Sequence, residues 1–556
     1  MSADWRTKTF WQALEWGART HAERTAVVAD GHRLTFADLA GRARALARGL
    51  IERGVRPGDN VALWAPDCLE WLIARWAVPA MGAVLVPVNT RFRDAEIRFL
   101  LAQSEARALI MSPGIAAVDY YAILEQVEPD LRGLAAGAWN SPVLPDLKLV
   151  VGMGERVPGS VVPFADVEEQ GRALADADDR FATCAGSVGG GDIAQIMYTS
   201  GTTSFPKGAM VRHGALLQNN FNTIARMRLG PEDRYLASVP LFSATGTSFT
   251  LSPFLAGGAV VLMEDGFSAA GFCRLVEAEG ITMSFYVEPI VRDLRAFDGL
   301  AHHDLSSLRT GTGAPLRCES FTWLVQDLGA RHLTNVYGLS ETSNAACRSF
   351  WNDPLDDRIE TCGHPMPGVR LRVCDPETGA DLGFDTMGEI QVNSYTVTPG
   401  YYRLPGETAA ALTADGWLRT GDLGVLRRDG QLLFRGRLKE MIKPGGFNVA
   451  TLEVEDFIKG IPGVREVAVV GVPDDRLGEV AFAFIETDPG AAVDGNAVIR
   501  HCHAHIAGYK VPRHVAFVDA WPLTGSGKIR KVDLRDRAVR AIAAETDNLT
   551  NNRTIH

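Results

Sequence analysis

Strand-like and helix-like segments alternate along most of this chain, and that alternation constrains its fold more than any other feature. Residues 26–50 show the unit. "AVVAD" reads as a β-rich strand and Gly31 as a turn, and Thr35 with Asp38 three residues on forms a capping pair that opens a helix. Leu39, Ala43, Leu46 and Leu50 then fall on one helical face. Apolar strands return at "AQIMY" (194–198), "AVVLME" (259–264), "MSFYV" (283–287) and "HLTNVY" (332–337), most of them separated by helical stretches. Parallel strands need a long crossover, usually a helix, so this texture predicts largely parallel sheets covered by helices. The longest apolar run, Trp71 to Val88, is broken by Arg75, Pro79 and Gly82. It reads as a buried helix followed by a buried strand, not as a membrane span.

After about Gly368 the texture changes. "VRLRVCD", "GEIQVNS" and "GQLLFRGR" read as short strands with turns, as in a small, mostly antiparallel unit. From Arg437 onward, "EVAVVGVPD" and "EVAFAFIE" bracket a polar turn, and helical segments and a basic "GSGKIRK" follow. At 556 residues the chain exceeds one ordinary domain. We place the boundary near Gly436, giving residues 1–436 with a β-rich subdomain at about 368–436, and a C-terminal domain at 437–556.

Hydrophobic residues make up 46% of the chain and charged residues 22%, which is the composition of a folded globular protein. The net charge of -11 argues against a nucleic-acid partner, because phosphate backbones require clustered Lys and Arg. The eight cysteines are scattered with no C-x-x-C pair, which fits a reduced, cytoplasmic setting. "HCHAH" (501–505) fits one helical turn better than any zinc spacing. The start, "MSADWRTKTF", has no apolar core like that of a signal peptide.

"YTSGTTSFPKG" (198–208) runs from a strand into glycines, hydroxyls and Lys207. Backbone N–H groups freed by glycine, hydroxyl donors and a lysine charge can together wrap anionic oxygens, although the spacing is not that of a Walker P-loop. Read alone, the stretch fits a polar surface loop equally well. Five further segments follow in order: "TGTGAPL" (310–316), "NVYGLSET" (335–342), "TGD" (420–422), "GRLKEMIKPGGFNV" (436–449) and "PLTGSGKIRK" (522–531).

With the first loop, this ordered set resembles the acyl-adenylate-forming superfamily, which includes acyl-CoA synthetases, adenylation domains and luciferases. The resemblance runs from about Phe10 to Arg537. It implies an α/β architecture: a large N-terminal domain with two parallel-rich, helix-covered sheets plus a β-rich subdomain, and a small mobile α+β C-terminal domain. It also implies an ATP-dependent ligase that uses Mg²⁺ and coenzyme A on a small-molecule carboxylic acid, with no membrane span and with a homodimer left open.

On this resemblance, Thr199, Ser200, Gly201, Thr202, Thr203 and Lys207 hold the phosphates, and Thr199 and Glu341 hold Mg²⁺. Tyr337 stacks on adenine, with Gly313, Ala314 and Pro315 opposite and Asn335 near the exocyclic amine. Val336, Gly338 and Ser340 complete that wall, and Asp422, aided by Arg437, accepts from the ribose hydroxyls. Lys528 delivers its ammonium to the carboxylate and α-phosphate oxygens, making Lys528, Glu341 and Thr199 the catalytic set. Lys443 is a further nucleotide contact, and Lys439, also placed at the nucleotide, is the hinge about which the C-terminal domain turns before thioester formation. Gly445, Gly446 and Phe447 then line the tunnel for the thiol arm of CoA, and Lys510 and Arg513 meet its phosphates. Ser243, Ala244, Gly246, Tyr286 and Gly311 line the acyl pocket.

Three positions depart from the family's pattern: Ser204 for a glycine, Ser243 for a histidine and Ser340 for a threonine. Ser243 and Ala244 trade a ring for space, which favours a bulky apolar acid. Glu288 is expected to pair at the surface with Arg292, four residues on. Beside the two-step acyl-CoA ligase stand three alternatives: a ligase limited to thioesterification, an adenylating enzyme that loads a carrier protein, and a nucleotide-binding protein without catalysis.

Overall fold

The computed structural model describes residues 4–129, 139–154, 156–174, 180–199, 206–263, 266–314, 316–444, 449–474, 476–524 and 528–553. Ser200, Gly201, Thr202, Thr203, Ser204, Pro315, Gly445, Gly446 and Phe447 lie outside them. The chain divides into two compact units. The first comprises Met1–Leu371, Val392–Leu418 and Gly430–Leu432, and the second Arg372–Gln391, Arg419–Asp429 and Leu433–His556.

The first unit holds two helix-covered sheets, as the strand and helix alternation predicts. Among the described residues one sheet has nine strands. Its centre is parallel and runs, in spatial order, through Thr25–Ala29, Ala259–Leu262, Arg234–Ala237, Met283–Tyr286, Thr310–Gly313 and His332–Leu339. Its edges are antiparallel: His32–Thr35 on one side, Asn344–Arg348 and His364–Pro365 on the other. The second sheet has seven strands, parallel from Ile193–Thr199 through Val84–Pro87, Asn60–Trp64, Ala106–Met111 and Leu149–Gly152 to Val162–Pro163, with Lys207–Arg212 antiparallel on the end.

Local choices agree with this frame. Thr35 and Asp38 form a reciprocal capping box on the helix Phe36–Glu52, whose Leu39, Ala43, Leu46 and Leu50 are fully buried. Trp71 to Val88 is a helix, Leu69–Ala80, then a strand, Val84–Pro87. The described residues contain no helix long and apolar enough to cross a membrane.

The second unit carries most of a four-stranded sheet ordered Val369–Cys374, Met387–Ser394, Leu418–Leu426, Leu432–Arg437. It also carries a three-stranded sheet in which Val464–Asp474 and Gly478–Thr487 form an antiparallel hairpin and His514–Phe517 adds in parallel. The histidines of "HCHAH" end the helix Gly495–His505, where the ring of Phe457 stacks on His501 at 5.4 Å.

Candidate functional site

The two units each present a group of the expected residues. In the first unit, the antiparallel turn from His332–Leu339 back to Asn344–Arg348 positions Glu341 in the short helical turn Ser340–Thr342. The turn is tight. A Cβ at Gly338 would stand 1.6 Å from the carbonyl oxygen of Asn344, and Ser343 and Asn344 both adopt left-handed backbone, with φ of 51° and 91°. Such strain in non-glycine residues survives only where the surroundings over-determine it.

The Glu341 carboxylate accepts a hydrogen bond from the Tyr401 hydroxyl at 2.8 Å, and its backbone carbonyl accepts from Thr398 N at 2.7 Å. Burial, and then the charge of Glu341, push the Tyr401 hydroxyl far above the ordinary tyrosine range, so it stays a donor. Lys207 lies 5.7 Å from the centroid of the Tyr401 ring and pairs with Glu407. Thr199, last residue of its strand, is in register with Lys207, and its hydroxyl donates to the Lys207 carbonyl at 3.4 Å. One tyrosine therefore links the lysine that follows the glycine-rich loop to the carboxylate that follows "YGLS". Nothing in the sequence had singled out Tyr401 or Glu407, because their partners lie 60 and 200 residues away. A carboxylate and a hydroxyl are the oxygen donors a hard divalent cation prefers, with phosphate oxygens left to complete its shell, so Glu341 and Thr199 fit Mg²⁺.

Tyr337 is 6% exposed and lies in the same strand as Asn335 and Val336. The Asn335 amide is already engaged: its nitrogen donates to Arg358 O at 3.2 Å and its oxygen accepts from Val336 N at 2.9 Å. Gly313 packs on the Leu316 side chain, and Ala314 N donates to Tyr286 O at 3.3 Å.

Of the residues expected around the acid, Tyr286 and Gly311 lie in the sheet and share one face, while Ser243, Ala244 and Gly246 belong to the capped helix Ala244–Phe249, whose Phe249 ring meets Phe285 of the other face at 5.6 Å. Register places Phe285 with Thr312 on one face, and Ser284 and Tyr286 with Gly311 and Gly313 on the other. Tyr286 is fully buried with its ring against Gly311, where a Cβ would meet it at 2.8 Å. Ser243 caps the helix Ala244–Phe249: its Oγ accepts from Gly246 N at 3.0 Å and donates to Pro240 O at 2.7 Å. Gly246 is buried against that same turn, where a Cβ would fall 2.1 Å from Pro240 O. Asp67 holds the turn from the other side by accepting from Leu241 N at 2.9 Å, and its enclosure pushes its carboxyl up to about 7.

Glu288 corrects one expectation. Its carboxylate accepts from Arg317 N and from Ser320 Oγ at 2.8 Å, at the start of the helix Cys318–Gln326, while Arg292 pairs with Asp293 at 3.0 Å. A helix N-terminus offers unmet N–H donors and a positive dipole end, which hold a carboxylate better than one exposed guanidinium does.

In the second unit, Asp422 is 4% exposed, and its Oδ1 lies 3.5 Å from Arg437 Nε. The segment bearing Lys528 folds back on itself: Thr524 N donates to Lys528 O at 2.7 Å, and Arg530 N to Pro522 O at 2.7 Å. Lys528 reaches the surface, yet protein crowded around its ammonium lowers its pKa, and Arg437 lowers it further, against the opposing pull of Asp422 and Glu440. Lysine, aspartate and arginine thus share one electrostatic neighbourhood. Lys531 anchors the segment, binding Glu440 and Glu455 at 2.8 Å each. Lys439 lies in the short turn Leu438–Glu440. Lys443 pairs with Glu377 at 3.2 Å, Lys510 with Glu453, and Arg513 with Asp474 at 3.1 Å, so each of these cations already faces a carboxylate.

Residues 14–402 match the model of the AMP-binding enzyme family, and residues 453–528 that of the AMP-binding enzyme C-terminal domain. A Bacillus subtilis protein provisionally named acyl-CoA synthetase YngI is 34% identical over 536 residues, covering 96% of this chain and 97% of that protein. The mitochondrial medium-chain acyl-CoA ligase ACSF2 of Bos taurus is 31% identical over 544 residues, covering 95% and 87%. The crystal structure of the anthranilate CoA ligase AuaEII in complex with anthranoyl-AMP superposes with a TM-score of 0.84 at 26% identity, over 97% of this chain and 98% of that one. Fold, ordered motifs and relatives agree: the chain belongs to the AMP-binding enzyme family, as an adenylate-forming enzyme of the acyl-CoA synthetase type.

Proposed function

We propose that the protein is an ATP-dependent acyl-CoA ligase working in two steps. A carboxylate oxygen bonds to the α-phosphorus of ATP as the bond to pyrophosphate breaks, giving acyl-AMP. The thiol of coenzyme A then bonds to the acyl carbon, AMP leaves, and the thiol proton passes to solvent. No side chain becomes a covalent nucleophile. The observation that carries this reading is the neighbourhood of Lys528 with Asp422 and Arg437. A cation placed where charge gathers on the attacking and leaving oxygens stabilises that transition state, and a carboxylate beside it suits a ribose diol.

Glu341 and Thr199 would hold Mg²⁺, which neutralises phosphate charge when bound. Tyr401 keeps the Glu341 carboxylate oriented, and Lys207 adds a charge toward the phosphates. Tyr337, Gly313 and Ala314 take the adenine, and Asp422 with Arg437 the ribose. Between the steps, the part of the chain from Arg437 onward turns about Lys439, and Lys510 and Arg513 exchange their carboxylate partners for CoA phosphates. With the Ser243 hydroxyl committed to its cap and Ala244 beside it, the near end of the acyl site has room for a bulky apolar body. The setting is cytoplasmic.

Pyrophosphate release measured with ATP across a broad acid panel tests the reading, with preformed acyl-AMP plus CoA as the second arm. Acid-dependent pyrophosphate and a CoA thioester are expected. Conversion of acyl-AMP with no pyrophosphate from any acid would leave a thioesterifying enzyme only, and neither reaction would leave a nucleotide-binding protein. Competition between CoA and a phosphopantetheinyl carrier protein decides the acceptor.

A further inference from the structure

Arg348 ends the strand Asn344–Arg348, which lies between His332–Leu339 and His364–Pro365, and is 1% exposed. Its side chain reaches the next two strands of the sheet, with Nη1 donating to Thr334 Oγ1 at 2.9 Å and to Thr312 Oγ1 at 2.5 Å. Its guanidinium carbon stands 5.6 Å from the centroid of the Phe249 ring. Nε has no hydrogen-bond partner. The one charge acting on the group among the described residues is that of Arg226, of the same sign, and burial with that repulsion lowers its pKa to about 9, still protonated at neutral pH. Tyr235 also packs on Phe249: it is fully buried, its ring makes an edge contact at 5.2 Å, and its hydroxyl lacks a hydrogen-bond partner.

A guanidinium taken out of water without a counter-charge costs several kcal/mol, and two threonine hydroxyls do not neutralise it. Phe249, the last residue of the helix that Ser243 caps, is the residue both of them touch. From Ser243 to Phe249 is six residues, or about 9 Å of helix. An acid whose reacting carboxylate lies at the Ser243 end would bring its other end to Arg348 and Tyr235.

We propose that Arg348, assisted by Tyr235, receives a second carboxylate at the far end of the substrate, making the acid a dicarboxylate with an apolar body. The proposal rests on the acid ligase reading above. It names a specificity-determining residue that sets which acid is activated, not the chemistry of activation.

The test compares adipate, suberate and azelate with their monomethyl esters as substrates for pyrophosphate release, in wild type, Arg348→Met and Arg348→Lys. Wild type is expected to favour a diacid over its monoester by about tenfold or more in kcat/KM, Arg348→Met to lose that preference, and Arg348→Lys to keep part of it. Equal use of diacid and monoester by wild type, or an unchanged ratio in Arg348→Met, overturns the proposal while leaving the ligase reading intact. Thermal unfolding with suberate alone supplies an arm independent of adenylation. A rise in Tm for wild type that is absent in Arg348→Met supports the proposal even if no acid yields pyrophosphate, and no rise together with no pyrophosphate overturns it.

Discussion

In the proposed reaction Lys528 carries the largest burden of any single residue. Lys528→Ala should slow adenylation about 10²–10³-fold, as loss of one group that stabilises developing charge does elsewhere, while conversion of preformed acyl-AMP to thioester falls far less. Stopped-flow pyrophosphate detection beside a thioester assay reads the two steps apart, and equal losses would remove Lys528 from its role. Its protonation gives a second handle. Because Arg437 lowers the Lys528 pKa, Arg437→Gln should raise it and move the alkaline limb of the adenylation profile to higher pH, whatever the change in maximal rate. An unmoved or lowered limb would show that the two cations do not interact. Lys528, Asp422 and Glu341 were legible as residues because each stands in a motif of distinctive composition. Tyr401 and the capping role of Ser243 were not, since both depend on partners that only folding brings together or on which way a hydroxyl turns.

Helix ends and turns settle matters at the scale of the element that spacing leaves undecided. Glu288 was read by the i+4 rule toward Arg292, and it instead holds the start of a helix 30 residues further along. Glu288→Ala should therefore cost about 1–3 kcal/mol in chemical denaturation, through lost hydrogen bonds to a charged acceptor, and Arg292→Ala less than about 0.5 kcal/mol. Reversed magnitudes would restore the surface pair. A second case joins two helices. His213, first residue of His213–Met227, accepts from the backbone N–H of Phe10 at 3.2 Å and is fully buried, and burial depresses its pKa to about 4 from an ordinary 6.5. The neutral ring is what the fold holds. The unfolded chain binds the proton between those values, so this contribution is whole above pH 6.5 and lost as pH falls toward 4, by up to about 3 kcal/mol. Urea denaturation from pH 7 to 4 should show a steeper loss for wild type than for His213→Gln, and parallel curves would contradict the buried neutral imidazole.

The strand and helix order of the whole molecule was the most legible property, because most parallel strands write themselves as short apolar runs such as "MSFYV", buried on both faces, although the buried parallel strand Thr310–Gly313 is spelled "TGTG" and carries no such signature. The antiparallel strand Asn344–Arg348 is written in small and polar residues and left no such trace, although it follows the turn that positions Glu341 and carries the buried Arg348. The family resemblance supplied the order of the proposed chemistry, and the local geometry supplied what the ordered motifs lack: the tyrosine behind the carboxylate, the cap behind the serine and a buried arginine that no counter-charge meets among the described residues. In the proposed reaction, acid activation passes through a bound acyl-AMP. A rapid-quench experiment with ATP labelled at the α-phosphate and a turnover-competent acid, first without and then with CoA, addresses it most directly. Acyl-AMP is expected to accumulate toward one equivalent of enzyme without CoA and to be consumed to thioester and AMP when CoA is added. Formation of ADP and phosphate in place of AMP and pyrophosphate, or a thioester that appears with no prior acyl-AMP, would contradict it.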